Sequence, residues 1–354
     1  MYPSKQLDVN PLHSRYCALI GTGGIGSGLF FALDGNHTLG REESRSGHFL
    51  DRRDYCKLHI VSHYVRRLLG SSFPVIPLGM VGADEVGDRL LGEMAEVGLD
   101  LRYVGRAENR ATLYALCLIY PDGSGGNVTE NDSACAAVDE SWIAQSEAEF
   151  ARYAGAGIAL ALPEVPLEAR QKLLALGTAH GFLRVASFTT AEILELDGEL
   201  VGIDLLALNL DEAATLAGAP VEGGDPAVIV RAALAKLNPD VWLTVTAGAR
   251  GSWCWDGAVL THLPVLPVRV EGTAGAGDAH LAGIIVGLAA GLPLIEAHQL
   301  GVLTAAVAVQ SPHTINFELD RDALRVCAEA TNAPLADAVR VLLQVKGARS
   351  ERLR

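Results

Sequence analysis

The stretch Glu271-Gly-Thr-Ala-Gly-Ala-Gly-Asp278-Ala-His-Leu-Ala-Gly283 joins a glycine-rich turn to a long apolar segment, Ala279 to Leu292. A β-branched run, Val265 to Val270, precedes it, so the pattern predicts a strand, a turn and a helix. Glycines let several backbone N–H groups crowd around one point, and a helix N-terminus favours an anion there. Asp278 adds a carboxylate at the helix start. The stretch therefore suits phosphoryl transfer, with N–H groups for the negative charge and an acid to accept a proton.

Composition narrows the class of protein. The 354 residues, 49% of them hydrophobic, are enough for one large α/β domain or two modest ones. A net charge of −14 argues against non-specific binding of nucleic acid. The six cysteines form no CxxC pair and no Cys/His metal spacing, so we interpret them as reduced thiols. The absence of a signal segment and of a membrane-length apolar run predicts a cytoplasmic protein without a membrane partner.

Candidate strands alternate with candidate helices from residue 150 onward. This alternation implies a mainly parallel sheet covered on both faces. We see no internal repeat and no low-complexity linker, and we predict a single domain, residues 1–354, whose basic tail 346–354 is frayed. The predicted strands are Gly157–Leu162, Phe182–Ser187, Leu205–Asn209 and Val241–Thr246, and the predicted helices are 166–179, 190–196, 211–217, 226–237, 296–310, 321–330 and 334–345.

Two motifs resemble those of the ribokinase-like (PfkB-type) carbohydrate kinases. Gly-Ala-Gly-Asp278 before an apolar helix is similar to the C-terminal motif, although a glycine-rich helix start that only packs closely explains it equally well. A helix over 56–70, a strand from Pro74 to Leu78 and the turn Gly79–Gly87 are similar to the N-terminal motif. The resemblance covers roughly residues 15 to 312. It implies a doubly wound α/β fold, a mainly parallel sheet flanked by helices, with a small β-sheet lid from about 28–54 and 109–130.

Two further elements of this family have counterparts near the nucleotide. Asn209-Leu-Asp-Glu212 resembles the element that organises Mg²⁺, which makes Glu212 the candidate metal residue. Thr246-Ala-Gly248-Ala-Arg-Gly251 resembles an element that contacts nucleotide phosphates. The alternatives are that Asn209 only caps the next helix and that the glycines form an ordinary hairpin turn. Together with Gly-Ala-Gly-Asp, these elements occur in the order that the family has.

By the same resemblance, the chain phosphorylates a hydroxyl of a small molecule, a sugar or sugar derivative, using ATP and Mg²⁺. Asp278 is then the general base, and the N–H groups of Gly275, Ala276 and Gly277 stabilise the transferring phosphoryl group. Further nucleotide-binding candidates are Thr273 and, for the adenine pocket, Val302, Ala305 and Ala306.

The chain departs from the family pattern at two places. Gly272 stands where the family has an acidic residue that helps to hold a monovalent cation, so potassium activation is in doubt. At the acceptor end, the family's Gly-Gly pair falls on Cys56-Lys57 and its Asn on Val61. Lys57 and His59 therefore become substrate-binding candidates for an anionic or unusual acceptor. The alternative is that Lys57 is solvated and His59 packs locally.

The first predicted strand, Tyr16 to Ile20, ends in Gly21-Thr-Gly-Gly-Ile-Gly26, which matches the GxGxxG pattern. One interpretation is a nicotinamide-dependent oxidoreductase. Because Gly35 interrupts the following segment, we favour a tight turn in which Gly23 and Gly24 approach substrate or lid.

Alternatives of other kinds stay open. A nucleoside kinase has the same fold, and a non-catalytic ligand-binding relative would keep the fold without turnover. The strand edges of the lid are compatible with a homodimer.

Overall fold

The structure is a computed structural model that describes residues 5–7, 9, 14–122, 125–196, 202–220 and 224–344. The predicted frayed tail, 346–354, lies outside these residues. Across the described ranges, no helix is long and apolar enough to cross a membrane. The strands are β1 (Ala18–Thr22), β2 (Gly26–Leu33), β3 (Gly47–Tyr55), β4 (Val75–Gly82), β5 (Val104–Ala107), β6 (Leu113–Ile119), β7 (Gly125–Thr129), β8 (Gly157–Ala161), β9 (Leu183–Ser187), β10 (Leu205–Asn209), β11 (Trp242–Thr246), β12 (Ser252–Trp255) and β13 (Leu260–Leu263). The α-helices are α1 (Lys57–Leu69), α2 (Glu85–Val97), α3 (Glu140–Ala144), α4 (Glu147–Arg152), α5 (Leu167–Ala179), α6 (Thr190–Glu195), α7 (Leu210–Ala217), α8 (Pro226–Leu234), α9 (Ala276–Ala289), α10 (Leu294–Ala308), α11 (Arg321–Thr331) and α12 (Asp337–Leu343).

Nine strands form the large sheet, in the order β13-β12-β11-β10-β9-β8-β1-β4-β5. The seven strands from β11 to β5 pair in parallel, and β12 and β13 add an antiparallel edge. Neighbouring strand residues face opposite sides, and both sides are core: Leu19 packs into one hydrophobic cluster and Ile20 into the other. The predicted architecture, a mainly parallel sheet with helices on both faces, is confirmed.

The strand order reverses next to β1. From β1 the chain winds outward to β4 and β5, then returns to β8 on the other side of β1 and winds away to β11. In parallel sheets a crevice forms beyond the strand ends at such a reversal, and ligands bind there. The residues after β1 and β8 therefore border the expected binding site.

A separate sheet has the order β3-β2-β6-β7 and is called the small sheet below. Its strands lie within, or within two residues of, the segments predicted for a lid. Burial alternates along β6, where Leu113, Ala115 and Cys117 are buried and Tyr114 and Leu116 are exposed. One face of the small sheet is therefore covered by the rest of the chain and the other is open.

Helix α9 lies inside the protein. Every residue from Ala279 to Ala289 is buried. This is expected, because the helix is apolar on all sides and has no polar face to turn toward solvent. It packs against α10 and α1. The approach to α10 is close, because a Cβ on Gly283 would lie 2.7 Å from the Cα of Gly301. This packing holds the start of α9 in a fixed place.

The strand predicted from Val265 to Val270 is wrong. These residues lie outside any strand, and β13 ends at Leu263, directly before Pro264. Pro264 and Pro267 have no N–H to donate to a neighbouring strand, so the β-branched residues between them cannot continue the ladder. The two ends of the run, Val265 and Val270, are 50% and 56% exposed.

The GxGxxG segment is followed by a strand. After β1, three residues lead directly into β2 of the small sheet, so the helix that a dinucleotide-binding turn requires is missing. The oxidoreductase interpretation is therefore wrong for this turn. Several helix ends also differ from the predictions: α8 ends at Leu234 rather than 237, and α12 begins at Asp337 rather than 334.

The contact between α9 and α10 predicts opposite effects for two glycine substitutions. Gly283→Ala places a methyl group against Gly301 and Thr304, so it should lower the free energy of unfolding by roughly 1–3 kcal/mol. Gly92→Ala, on α2 with no atom within 4 Å of the new Cβ, should raise it by roughly 0.5–1 kcal/mol. Denaturant unfolding of both variants measures this. Equal effects of the two changes would contradict the close packing.

Candidate active site

A cavity of about 580 Å³ lies between the small sheet, the residues after β8 and the turn before α9. Its lining comes from four places: the small sheet with the segment after β6, the start of α1, the residues after β8, and the 270–278 turn with the nearby 312–314 segment. The lining residues are Phe30, Arg52, Asp54, Tyr55, Cys56, Lys57, Ile60, Ala115, Cys117, Ile119, Tyr120, Pro121, Gly125, Gly126, Asn127, Glu164, Val270, Glu271, Gly272, Thr273, Ala274, Gly275, Asp278, Pro312 and Thr314.

The turn before α9 forms one wall of this cavity. Gly275 is the N-cap in the left-handed conformation (φ 78°), and a Cβ there would lie 2.5 Å from the carbonyl oxygen of Thr314. Of the three predicted N–H donors, that of Ala276 already donates to the Thr273 carbonyl (3.2 Å). In the described chain the N–H groups of Gly275 and Gly277 have no acceptor. Two donors at a helix N-terminus thus remain for an anion.

Asp278 sits in the first turn of α9 with 15% of its side chain exposed. Its Oδ1 lies 3.6 Å from the Nζ of Lys57, the first residue of α1. The negative charge of Asp278 raises the pKa of Lys57 above its ordinary value, and the charges of Glu164 and Glu212 add to this effect against the opposing effect of burial. Lys57 is therefore a protonated cation that pairs with Asp278 and is further stabilised by the charges of Glu164 and Glu212.

Glu164 is a cavity carboxylate that the sequence did not single out. It follows β8 with a left-handed backbone (φ 77°), which is unusual for a residue other than glycine. Its Oε2 accepts a hydrogen bond from the Lys57 N–H (3.3 Å), and a Cβ on Gly24 would overlap this oxygen. Burial raises the pKa of Glu164 to about 7; the positive Lys57 opposes the shift and the negative Asp278 adds to it. An acid just after a parallel strand was the available signal.

Asp54 brings a second unpredicted carboxylate to the cavity from the small sheet. It is 8% exposed, and its Oδ2 accepts a hydrogen bond from the Sγ of Cys117 (3.4 Å). Burial raises the pKa of Asp54. Asp54 and Arg52 stand two residues apart on β3, so both face the cavity.

The predicted nucleotide elements meet at one corner of the large sheet. Asn209 and Thr246 are paired strand ends of β10 and β11, and a Cβ on Gly277 would lie 3.8 Å from the Oγ1 of Thr246. Asn209 caps α7: its Oδ1 accepts from the Glu212 N–H (2.9 Å), and Glu212 Oε2 accepts from the Asn209 N–H (2.7 Å). Burial raises the pKa of Glu212. The structural role proposed as the alternative for Asn209 is therefore present.

The glycines of the same corner form a tight turn. Gly248 and Gly251 have positive φ values of 55° and 86°, and the Ala247 N–H donates to the Gly251 carbonyl (2.9 Å). The turn leads into β12, which pairs antiparallel with β11, so the hairpin alternative for these glycines is also present.

Several predicted residues are not brought to the cavity. His59 is fully buried against Tyr55 and His63, and burial lowers its pKa to about 3. The predicted local packing of His59 is thus what the structure has. Gly24 makes room for Glu164 rather than lining the cavity, and Gly23 packs on Leu162. The adenine-pocket candidates, Val302, Ala305 and Ala306, lie on α10 away from the cavity lining.

Residues 61–321 match the sequence profile described as pfkB family carbohydrate kinase. The chain belongs to this family. It is therefore a phosphotransferase that uses an alcohol group as acceptor. A fructoselysine 6-kinase from Escherichia coli (strain K12) is 30% identical over 233 residues, which are 65% of this chain and 80% of that protein.

Solved structures of ribokinases share the fold of this kinase. The ribokinase from Cryptococcus neoformans var. grubii serotype A, in complex with ADP, superposes with a TM-score of 0.72 at 19% identity, covering 88% of this chain and 99% of that chain. The Arabidopsis thaliana ribokinase, complexed with ribose and ATP, gives a TM-score of 0.65 at 18% identity, covering 88% and 98%.

The raised pKa of Glu164 predicts a pH-dependent loss of stability. Between pH 4.5 and 7 the folded protein holds this proton more tightly than the unfolded chain does, so stability falls as the pH rises through this window. At pH 8 the free energy of unfolding of Glu164→Gln should therefore exceed that of the wild type by roughly 1–3 kcal/mol, so that the variant unfolds at a higher temperature. At pH 4.5 the difference should be much smaller. Thermal unfolding at both pH values measures the difference. Glu168→Gln, an exposed neighbour on α5, should show no such pH dependence.

Proposed function

We propose that this kinase transfers the γ-phosphoryl group of ATP to a hydroxyl of a sugar or sugar derivative bound in the 580 Å³ cavity. The observation that carries the proposal is the position of Asp278, whose carboxylate borders the cavity in the first turn of α9, beside unpaired N–H groups. A base and an anion site at one helix start are what an in-line transfer to a hydroxyl needs.

The chemistry follows from these groups. The acceptor oxygen forms a bond to the γ-phosphorus while the bond from that phosphorus to the β–γ bridging oxygen breaks, and ADP leaves. The hydroxyl proton passes to Asp278. The N–H groups of Gly275 and Gly277 donate to the phosphoryl oxygens, and the Ala276 N–H can join them if its bond to Thr273 opens.

The corner formed by Asn209, Thr246, Gly248 and Gly251 is the proposed site of the ATP phosphates. It adjoins the start of α9, so a triphosphate lying there reaches the N–H groups of the turn. The two ribokinases were solved in complex with ADP and with ribose and ATP, respectively. The adenine would then extend toward Val302, Ala305 and Ala306, which stays a proposal from family resemblance, as does a contact from Thr273.

The same corner fits a magnesium ion that arrives with the nucleotide. Glu212 uses Oε2 in its hydrogen bond to Asn209, which leaves Oε1 for a water of the ion. Mg²⁺ keeps several waters and needs only one or two carboxylates besides phosphate oxygens. Among the described residues no group of three acidic, His or Cys side chains could hold a metal alone, so the phosphates must supply ligands. We propose Glu212 and Asn209 as the holding residues; the ion would neutralise phosphate charge.

The acceptor end of the cavity is acidic. Asp54 and Glu164 line it together with Asn127, and carboxylates accept hydrogen bonds from hydroxyl groups. Burial raises the pKa of Asp54 and of Glu164, because a buried carboxylate has lost hydrogen bonds from water. A polyhydroxy ligand that donates hydrogen bonds to them would replace part of what was lost. This favours a sugar-like acceptor. The small sheet, which contributes Asp54 and Asn127, acts as a lid over it within a single functional unit of residues 1–354.

The open face of the small sheet is the proposed dimer contact. Leu29 pairs with Leu116, and Leu116 pairs with Val128, so these three side chains form a row on one face. Phe49 extends the surface from β3 and is 61% exposed. An apolar sheet face of this kind is disfavoured in water, and a second copy of the chain offers a matching one.

Replacing the base tests the proposed reaction. Asp278→Asn should lower kcat by about 10²–10⁴-fold, because the hydroxyl proton loses its acceptor. The assay is ADP release from ATP·Mg²⁺ with a panel of sugars, sugar acids and nucleosides, with Asp240→Asn, an exposed acid, as the control.

Near-normal turnover by Asp278→Asn would remove this residue from the mechanism. A signal with nucleosides alone would identify the nucleoside kinase alternative. ATP binding without turnover on any acceptor would favour a non-catalytic relative.

A charge on the open face should separate the proposed dimer. The wild type should have twice the chain mass of 37.3 kDa in light scattering, and Val128→Glu should return it to a monomer. Val341→Glu changes a similarly exposed valine on α12 and should leave the dimer intact. A monomeric wild type, or dissociation by both variants, would contradict this contact.

A further inference from the structure

We propose that Lys57 is a catalytic residue that binds the transferring γ-phosphoryl group, not a residue that recognises the acceptor. This rests on the proposed function, since it assigns a role within that reaction. The geometry around Asp278 supports it in three steps.

The local structure of α1 does not explain a lysine at this position. Lys57 is the first residue of the helix, where the dipole disfavours a cation, and α1 has no acidic residue in its first turn. Its N-cap, Cys56, makes no side-chain hydrogen bond that caps the helix. The ammonium group is instead held by charges from other elements, foremost Asp278 on α9. Because α1 packs directly on α9, this approach is set by helix packing.

The contacts of Lys57 place it between the two substrates of the proposed reaction. Its Nζ lies 3.6 Å from Asp278 Oδ1, and its backbone N–H donates to Glu164 at the acceptor end. The charge of Glu212, at the nucleotide corner, also favours the protonated ammonium. The acceptor hydroxyl and the γ-phosphoryl group must meet beside Asp278, so the ammonium lies at their junction. The Nζ···Oδ1 distance of 3.6 Å is longer than a normal hydrogen bond. The ammonium group has three N–H donors, so donors remain available for phosphoryl oxygens.

The charge balance beside the base favours a cation there in addition to the proposed magnesium ion. A phosphoryl group entering beside Asp278 is repelled by this carboxylate, and by Glu164 and Glu212 to the extent that they are ionised. Among the described residues that line the cavity, Arg52 and Lys57 are the lysines and arginines, and Arg52 lies on the small sheet with Asp54. Lys57 is thus the lining cation next to the base, and a donor placed on a developing phosphoryl charge is worth much more here than in water.

The proton transfer strengthens this contact. When Asp278 takes the hydroxyl proton it becomes neutral, and its attraction for Lys57 disappears. The positive charge of Lys57 then acts on the phosphoryl oxygens as the bond to ADP breaks. Lys57 keeps all its protons throughout, so no further acid or base is needed.

The test compares Lys57→Met and Lys57→Arg with the wild type, with Lys236→Met at an exposed site as the control. Steady-state assays give kcat and both KM values, and calorimetry gives the affinities for ATP and ADP. We expect Lys57→Met to lower kcat by about 100-fold or more and to leave the acceptor KM within a few-fold. ADP affinity should be unchanged while the preference for ATP over ADP falls. Lys57→Arg should recover part of kcat.

Two results overturn the proposal: an unchanged kcat with a large rise in the acceptor KM, which would make Lys57 an acceptor residue, or an unchanged ATP-to-ADP preference in Lys57→Met. If Lys57→Met does not fold, as judged by thermal unfolding, Lys57→Gln is measured by the same criteria. A wild type that neither binds ATP nor releases ADP would refute the proposed function itself, whereas an active wild type with an equally active Lys57→Met refutes this inference alone.

Discussion

The burial of helix α9 on all sides is the constraint on which the site depends. From Ala279 to Ala289 the helix is enclosed, so its first turn, with Asp278, can point in one direction only. Its neighbours carry other parts of the site: α1 begins with Lys57, and Thr314 fixes the left-handed Gly275. Asp278 and Lys57 are thus placed by core packing, while the small sheet supplies the other wall of the cavity. The wall proposed for the phosphoryl group, formed by the starts of α9 and α1, is thus set by the core. The facing wall belongs to the small sheet.

Buried acidic groups are concentrated in the cavity and at the adjoining nucleotide corner. Asp54, Glu164 and Glu212 all have a pKa raised mainly by burial, and one lysine lies among the carboxylates beside Asp278. The negative potential of these acids favours ligands that donate hydrogen bonds from hydroxyl groups and repels phosphate. In the proposed reaction, the N–H groups before α9 and the ammonium of Lys57 offset this repulsion of phosphate. The two ends of the cavity would then have opposite electrostatic preferences although they share Asp278.

Local patterns were enough to predict most elements of the large sheet and the turn and cap geometry at the proposed phosphoryl end of the site. The Gly-Ala-Gly-Asp278 turn, the Asn209 cap and the ends of β10 and β11 are encoded by adjacent residues with clear turn and cap chemistry. The acceptor end was not readable in this way. Glu164 and Asp54 gain their position from the meeting of two sheets. The place of Glu164 after a parallel strand was the one available signal, and Asp54, within a strand, carried none. The strand predicted at Val265 failed because two prolines outweigh β-branched composition.

The backbone of Glu164 has a consequence for how this position can vary. A left-handed conformation costs a residue with a β-carbon on the order of 1–3 kcal/mol, and glycine or asparagine would hold it with less strain. The long side chain of Glu164 reaches past Gly24 to the N–H of Lys57, which neither glycine nor the shorter asparagine would do. Stability therefore favours glycine or asparagine at position 164, whereas the proposed recognition of the acceptor favours glutamate. Selection for thermal stability alone would favour glycine at position 164, which would give a more stable protein whose cavity lacks this carboxylate.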